Sequence, residues 1–319
     1  MFKILAHPYS LRLKNIRSSR LLNHKREGAL LRFSFPDGSS GYSDLHPWEE
    51  FGDLSLDQEI ELLKSGRPTA LGFRALQLAA KDAEFRRQGV NALEGLTVPK
   101  SHFLLSGDEH KDHKLLETIA NSGFDTLKIK AGSALDFLDE LVGALKHHPF
   151  KIRIDFNERL DAGSLPDALN RLKPLEEKID FLEDPTRFDR EMWIKAMERS
   201  RIPFAKDMRL EEAFSDKSIP ILVMKPAKQN EEMFLQEMHP EQKVVVTSYL
   251  GHPLGQVQAA YVAGVMQKSI PLETAGLKSH HQYETDAFSE RLGPLSPHFQ
   301  APAGTGWGFD DLLPKLSWS

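Results

Sequence analysis

The sequence predicts an α/β protein: an N-terminal α+β domain followed by a (β/α)8-type barrel. Three observations carry this reading. From about Val98 onward, eight apolar runs of strand length alternate with polar, helix-compatible stretches. The residues before Val98 lack that rhythm and place strand-like runs first, helical ones after. Neither G-x-G-x-x-G after the first strand nor G-x-x-x-x-G-K-[ST] occurs, which weakens the nucleotide-binding form of the competing topology, an open doubly wound sheet.

Taken in order, "MFKILAHPYS" is too short and too soon interrupted for a secretory leader. "GALLRFSFPDGSSGYSDLHP" holds two strand-like runs around a Pro-Asp-Gly turn, a hairpin signal. Helices are predicted over Asp57 to Ser65 and Ala70 to Gln88. The barrel strands are "SHFLL", "TLKIKA", "KIRIDFN", "KIDFLEDP", "IPFAKD", "ILVMKP", "KVVVTSYL" and "SIPLETAG", with helices expected in stretches such as "SALDFLDELVGALKHH" and "EMWIKAMERS". The tail "APAGTGWGFDDLLPKLSWS" follows the last strand, and its glycines most simply supply turns.

Composition bounds the partners. A chain of 319 residues, 40% hydrophobic and 27% charged, suits a soluble enzyme with a sizeable core. Its net charge of -5 argues against a nucleic-acid surface. With no cysteine there is no disulfide, thiolate metal site or cysteine nucleophile, which fits a cytoplasmic location. No apolar run approaches the roughly 20 residues of a membrane span, so no membrane partner is expected.

Charged residues stand where barrel strands end, the position that active-site groups occupy in such folds. Lys128 and Lys130 share one face of "TLKIKA"; alone they would read as solvated edge lysines. In "KIRIDFN", Arg153, Asp155 and Asn157 share a face. Glu183 precedes the Pro185 that stops its strand, Asp207 ends the next, and Lys225 shares a face with Ile221 and Val223 before Pro226. Five consecutive strands ending in charge would ring one mouth of the barrel. Three carboxylates there need a cation, and all-oxygen ligation suits a hard divalent ion such as Mg2+. An amine beside a cation and a second amine is expected to fall from about 10.4 toward neutrality and to act as a general base. Such a set removes a proton α to a carboxylate, so a small-molecule carboxylate substrate is expected.

The ordered set Lys128-x-Lys130, Asp155-x-Asn157, Glu183-Asp184-Pro185, Asp207 and the lysine of "VMKP" resembles the muconate-lactonizing subgroup of the enolase superfamily. Within it, the chain is most similar to the o-succinylbenzoate synthase family of menaquinone biosynthesis. "REGALLRF", "GYSDLHP", "HPWEEFGD", "GHPLGQVQAAYVAG" and "PAGTGWGFD" extend the likeness over nearly the whole chain. The resemblance implies a modified TIM barrel over residues 98–285, an α+β capping domain over 1–97, and a C-terminal segment, 286–319, that returns to the cap. It implies Mg2+ on Asp155, Glu183 and Asp207, with Lys130 as the base and Lys128 tuning it. Lys225, on the opposite face, would stabilise an enediolate. The implied reaction is a syn elimination of water from 2-succinyl-6-hydroxy-2,4-cyclohexadiene-1-carboxylate. Substrate contacts fall on Asn157, Ser248, Tyr249, Leu250, Gly276 and Arg17, from cap loops 12–26 and 47–53 and loop 248–255; Arg12, Lys14 and Arg20 are further candidates for the succinyl carboxylate.

The chain departs from the family pattern in places. Glu158 precedes Arg159 where an arginine directly follows Asn157, Met208-Arg209 replace Glu-Ser, Gly251 stands where an acid is usual, and "GLKS" replaces G-L-D-T. The pairs His147-His148 and His280-His281 read as surface, since adjacent histidines do not converge from one element. An N-succinylamino acid racemase or dipeptide epimerase would use the same two lysines. A non-catalytic binding barrel would keep six ionisable groups at a cost and to no use.

Overall fold

The computed structural model describes residues 3–14 and 25–319. The N-terminal region is a three-stranded antiparallel sheet in the order β1 (Lys3–Arg12), β2 (Lys25–Ser34), β3 (Ser40–Leu45). The hairpin turn is made as expected, with Gly38 at φ 83°. The sequence reading passed over β1, whose alternation is interrupted by Pro8. Proline is tolerated there because β1 lies at the sheet's edge. Helices α1 (Leu56–Lys64) and α2 (Ala70–Gln88) match the predicted spans to within a residue or so. Ser55 and Gln58 cap α1 reciprocally, and Gly89 in the left-handed region stops α2. The apolar faces meet: Ala29, Leu31, Phe33 and Leu45 of the sheet pack on Leu71, Ala75 and Ala79.

The second sheet has seven parallel strands in strict chain order: β4 (Phe103–Leu105), β5 (Thr126–Lys130), β6 (Lys151–Asp155), β7 (Ile179–Glu183), β8 (Phe204–Lys206), β9 (Ile221–Met224) and β10 (Lys243–Val246). Between them run α3 (His113–Asn121), α4 (Asp136–Leu145), α5 (Leu165–Leu172), α6 (Arg190–Ser200) and α7 (Glu231–Glu237), with α8 (Pro253–Met266) after β10. After β8 the expected helix shrinks to a single turn, Leu210–Glu212. The eighth predicted strand, "SIPLETAG", shrinks further, to two bridging residues. Pro271 has no N–H to offer, so pairing is confined to the end of the run. Ala275 bridges to Ser101 and Gly276 to Thr247, and these two contacts join the first strand region to the last. His102 N donates to Ala275 O at 2.7 Å and Ser248 N to Gly276 O at 2.9 Å.

Inside the ring, Phe181, Ala205, Ile221, Val223 and Val245 form an apolar layer. The buried Arg153 lies in the same interior. Its guanidinium donates to Asp180 at 2.7 Å and Thr274 O at 2.5 Å, and stacks 4.7 Å over Phe181. Among the described residues, no helix is long and apolar enough to cross a membrane.

After α9 (Ala287–Glu290), the tail runs back to the cap. Asp82 of α2 accepts from Trp307 N at 2.7 Å and Tyr42 N at 2.8 Å, while the Trp307 indole donates to Tyr42 O at 2.9 Å. At Gly306 (φ 57°) a Cβ would lie 2.0 Å from Asp82 Oδ1, so only glycine fits. Ser319 pairs with Ala6, covering part of the β1 edge. Trp307→Ala removes a fully buried ring and is expected to destabilise the protein by about 3–5 kcal/mol. Urea unfolding measures this, and a loss below about 1 kcal/mol would show that the tail does not brace the cap.

Candidate active site

The parallel register sets the charged strand ends side by side. Lys130 is the neighbour of Asp155, and Asp155 of Glu183. The Lys128 amine lies between two acids, 2.6 Å from Glu183 Oε2 and 3.1 Å from Asp155 Oδ2. Lys130 Nζ reaches Asp155 at 3.2 Å, and Lys225 Nζ donates to Asp207. Asn157 N donates to Asp155 Oδ1 at 3.0 Å. Several non-glycine residues that follow these ends sit in the left-handed region: Asn157 (φ 46°), Glu158 (φ 58°), Asp184 (φ 38°), Arg209 (φ 49°) and Leu250 (φ 54°). Strain of this kind gathers at functional sites.

A cavity of about 310 Å³ opens over these groups. Lys128, Lys130, Asp155, Asn157, Asp207, Lys225, Ser248, Tyr249, Leu250 and Gly276 all line it. Glu183 does not line it; buried behind, it holds the Lys128 amine. Arg17 and Arg20 lie outside the described residues. Arg12 and Lys14 are exposed and do not line the cavity.

The cap closes one side. Trp48 and Phe51 line the cavity, and Asp53 clasps the barrel by accepting from Tyr249 OH and Lys228 Nζ, each at 2.7 Å. The Tyr249 ring lies between two amines, Lys225 at 5.6 Å and Lys228 at 5.5 Å. Lys228, Gln229, Arg209 and His102 also line the cavity and were not singled out as site residues. His102 carried a signal, since it shares a strand face with Leu104. Gln229 carried none: it accepts from Lys225 N at 2.6 Å through a turn that the sequence does not announce.

Burial alone would lower Lys128, but Asp155, Glu183 and Asp207 outweigh it and hold the amine above the ordinary lysine range. Lys225 is likewise raised, burial being overcome by Asp207. Both amines are therefore held charged by the acids around them. Asp155 is pushed up by burial and pulled below its usual range by Lys128, Lys130 and Lys225. Glu183 is raised, by burial first and the charge of Asp155 next.

Among the described residues, no three acid or imidazole groups converge tightly enough to mark a metal site by themselves, since amines lie among the carboxylates. The donor chemistry nevertheless fits a hard divalent cation: three carboxylates from adjacent strands, all oxygen, with Glu183 raised by burial and then by the charge of Asp155.

His280 and His281 are not surface residues as the sequence reading had it. Both are half-buried. The last loop folds over the end of β4, so His281 stacks on Phe103 at 4.2 Å and contacts Leu104 O at 3.0 Å. His147 is exposed, and His148 is half-buried against His113. Where an acid was expected at Gly251, Asp44 of β3 takes the space: a Cβ there would lie 2.5 Å from its Oδ2. Asp44 accepts from His252 N at 3.0 Å and from Tyr9 OH at 2.6 Å, fixing loop 248–252 to the cap.

Two family descriptions match the chain: "O-succinylbenzoate synthase, N-terminal domain" over residues 4–85 and "Enolase C-terminal domain-like" over residues 112–217. An o-succinylbenzoate synthase of Bdellovibrio bacteriovorus is 30% identical, the match covering 100% of this chain and 98% of that protein. A mandelate racemase/muconate lactonizing protein from Herpetosiphon aurantiacus superposes with a TM-score of 0.77 at 14% identity, over 96% of this chain and 97% of that one. A dipeptide epimerase from Cytophaga hutchinsonii, complexed with Mg and the dipeptide D-Ala-L-Val, gives 0.76 at 18% identity, over 99% and 98%. These two structures share the fold.

Burial pushes the Asp44 carboxyl up to about 7, against the pull of Tyr9 and His252. The unfolded value is about 3.9, so folding favours the protonated acid. That contribution is complete below pH ~4 and is lost as pH rises toward 7. Asp44→Asn should therefore gain stability relative to wild type between pH 4.5 and 7, measured by urea unfolding. A difference that does not change with pH would show that Asp44 folds as an ordinary carboxylate.

Proposed function

The chain belongs to the o-succinylbenzoate synthase family of the enolase superfamily, and from that premise we propose how its own residues carry the reaction. The enzyme is a lyase that dehydrates 2-succinyl-6-hydroxy-2,4-cyclohexadiene-1-carboxylate to o-succinylbenzoate in menaquinone biosynthesis. It uses a divalent cation. In this reading the ion is Mg2+, held by Asp155, Glu183 and Asp207, and when bound it supplies positive charge where the substrate carboxylate gains negative charge.

The observation that carries these residue roles is the placement of the two amines. β5 and β9 lie on opposite sides of the ring, and Lys130 and Lys225 line one cavity from those sides. Lys130, the more exposed of the strand's two lysines, takes the α-proton on Nζ. The C–H electron pair enters the ring as its last double bond. The C–O bond breaks, and Lys130 returns its proton to the departing hydroxyl, leaving as water. Lys225 stays an ammonium, kept so by Asp207 and the Tyr249 face, and offsets charge on the opposite side. Lys128 is committed to Glu183 and Asp155, so its part is to hold those acids and to place a fixed positive charge next to Lys130.

Asn157, Ser248, Tyr249, Leu250 and Gly276 shape the wall that the substrate meets. Trp48 and Phe51 exclude water from the cap side.

Purified protein with Mg2+ is expected to consume the cyclohexadiene substrate, followed by ultraviolet absorbance. Lys130→Ala and Lys225→Ala should each lower kcat by about 10²–10⁴-fold. Chelation should abolish turnover, and added Mg2+ should restore it. Unchanged rates in both lysine variants would overturn the assignment. Solvent deuterium exchange at the α-carbon of N-succinylamino acids, with no dehydration, would favour the racemase reading.

A further inference from the structure

Directly behind the carboxylate ring, on the helix side of the barrel wall, lies a second charged cluster that the reaction does not use. Its centre is Lys206, the last residue of β8, with no exposed surface. A lysine buried this completely is costly unless its charge is engaged. The Lys206 amine donates to Met208 O and lies 3.2 Å from Glu212, 3.5 Å from Asp184 and 3.7 Å from Glu158. The Phe188 and Trp193 rings, at 5.3 and 5.9 Å, close the space around it.

Three of these partners share one property. Glu158 lies three residues after Asp155, Asp184 directly follows Glu183, and Met208 directly follows Asp207. Each strand that ends in one of the three carboxylates thus sends a group outward to the same amine. Asp184 reinforces the tie by accepting from Asp207 N at 3.2 Å and Met208 N at 2.8 Å. Glu158 N donates to Asp184 O at 2.7 Å, linking the first two strand ends again. The turns so held include residues in the left-handed region, Glu158, Asp184 and Arg209, whose strain needs a fixed anchor.

We propose that Lys206 is a positioning residue for the divalent cation: one buried ammonium that fixes the three strand ends and so sets the spacing of Asp155, Glu183 and Asp207. The proposal rests on the assignment of those three acids as the metal carboxylates. Lys206 touches neither the cavity nor the acids themselves, so it acts only through the turns behind them.

The test is Mn2+ binding to the metal-free whole protein, read as free Mn2+ by electron paramagnetic resonance, alongside kcat at saturating Mg2+. Lys206→Met should weaken Mn2+ at least tenfold and lower kcat, with a circular dichroism spectrum that remains folded. Glu158→Gln, which loosens one of the three ties together with the Glu158–Arg209 ion pair, should weaken Mn2+ severalfold. Lys195→Met, an exposed lysine of α6 that lies outside the cluster, should bind within twofold of wild type. A purely structural role would lower the melting temperature of Lys206→Met and leave the folded protein's Mn2+ affinity unchanged, and that result overturns the proposal. If Lys206→Met does not fold, wild-type affinity in Glu158→Gln overturns it instead. A wild-type protein that binds no Mn2+ would overturn the carboxylate assignment beneath it.

Discussion

Burying carboxylates at one end of a barrel is the constraint from which the rest of this structure follows. Asp155 and Glu183 are each about 1% exposed and adjacent in register, an arrangement that like charge opposes. The protein answers with interleaved amines: Lys128 between the two acids, Lys130 on Asp155, Lys225 on Asp207. Lysine can serve in both capacities because its amine sits on a long stem. One such amine is spent on cohesion, another is left at the cavity edge for proton transfer. The chemistry and the stability of the mouth are therefore built from one set of charges, and neither is adjusted without the other.

Much of this was legible because strand parity is so strict. Residues two apart face one way, so Asp155 with Asn157, and Lys225 with Val223, betray their side of the wall in the sequence alone. Helices α1 and α2 were legible as helical segments, and their caps emerged only in the structure. What escaped depends on the third dimension. The bridging role of Ala275 and Gly276 depends on ring closure, which no local pattern encodes. β1 hid behind Pro8, a residue that penalises a central strand and not an edge. Lys228 and Asp53 meet across the cap interface at 2.7 Å although far apart in sequence. His281 looked like surface because burial in a loop leaves no periodic trace.

The choice among related chemistries was a different kind of question. Two opposed lysines serve racemisation as well as dehydration, and no residue pattern at the barrel mouth separates them. The match to a full-length relative, together with the N-terminal domain description, places the chain among the synthases. On the cap side of the cavity, Trp48 and Tyr249 form an aromatic clasp tied through Asp53.

The return of the tail to the cap has a consequence for the order of synthesis. Asp82 emerges early, yet its partner Trp307 N is translated only after every barrel strand. The cap on a nascent chain must therefore wait, incompletely paired, while the barrel is made, and its final closure is a long-range event of high contact order. The same geometry makes the cap a poor module to graft: an N-terminal fragment moved to another barrel would keep Tyr42 and Arg86 on its buried Asp82 but lose the Trp307 N–H.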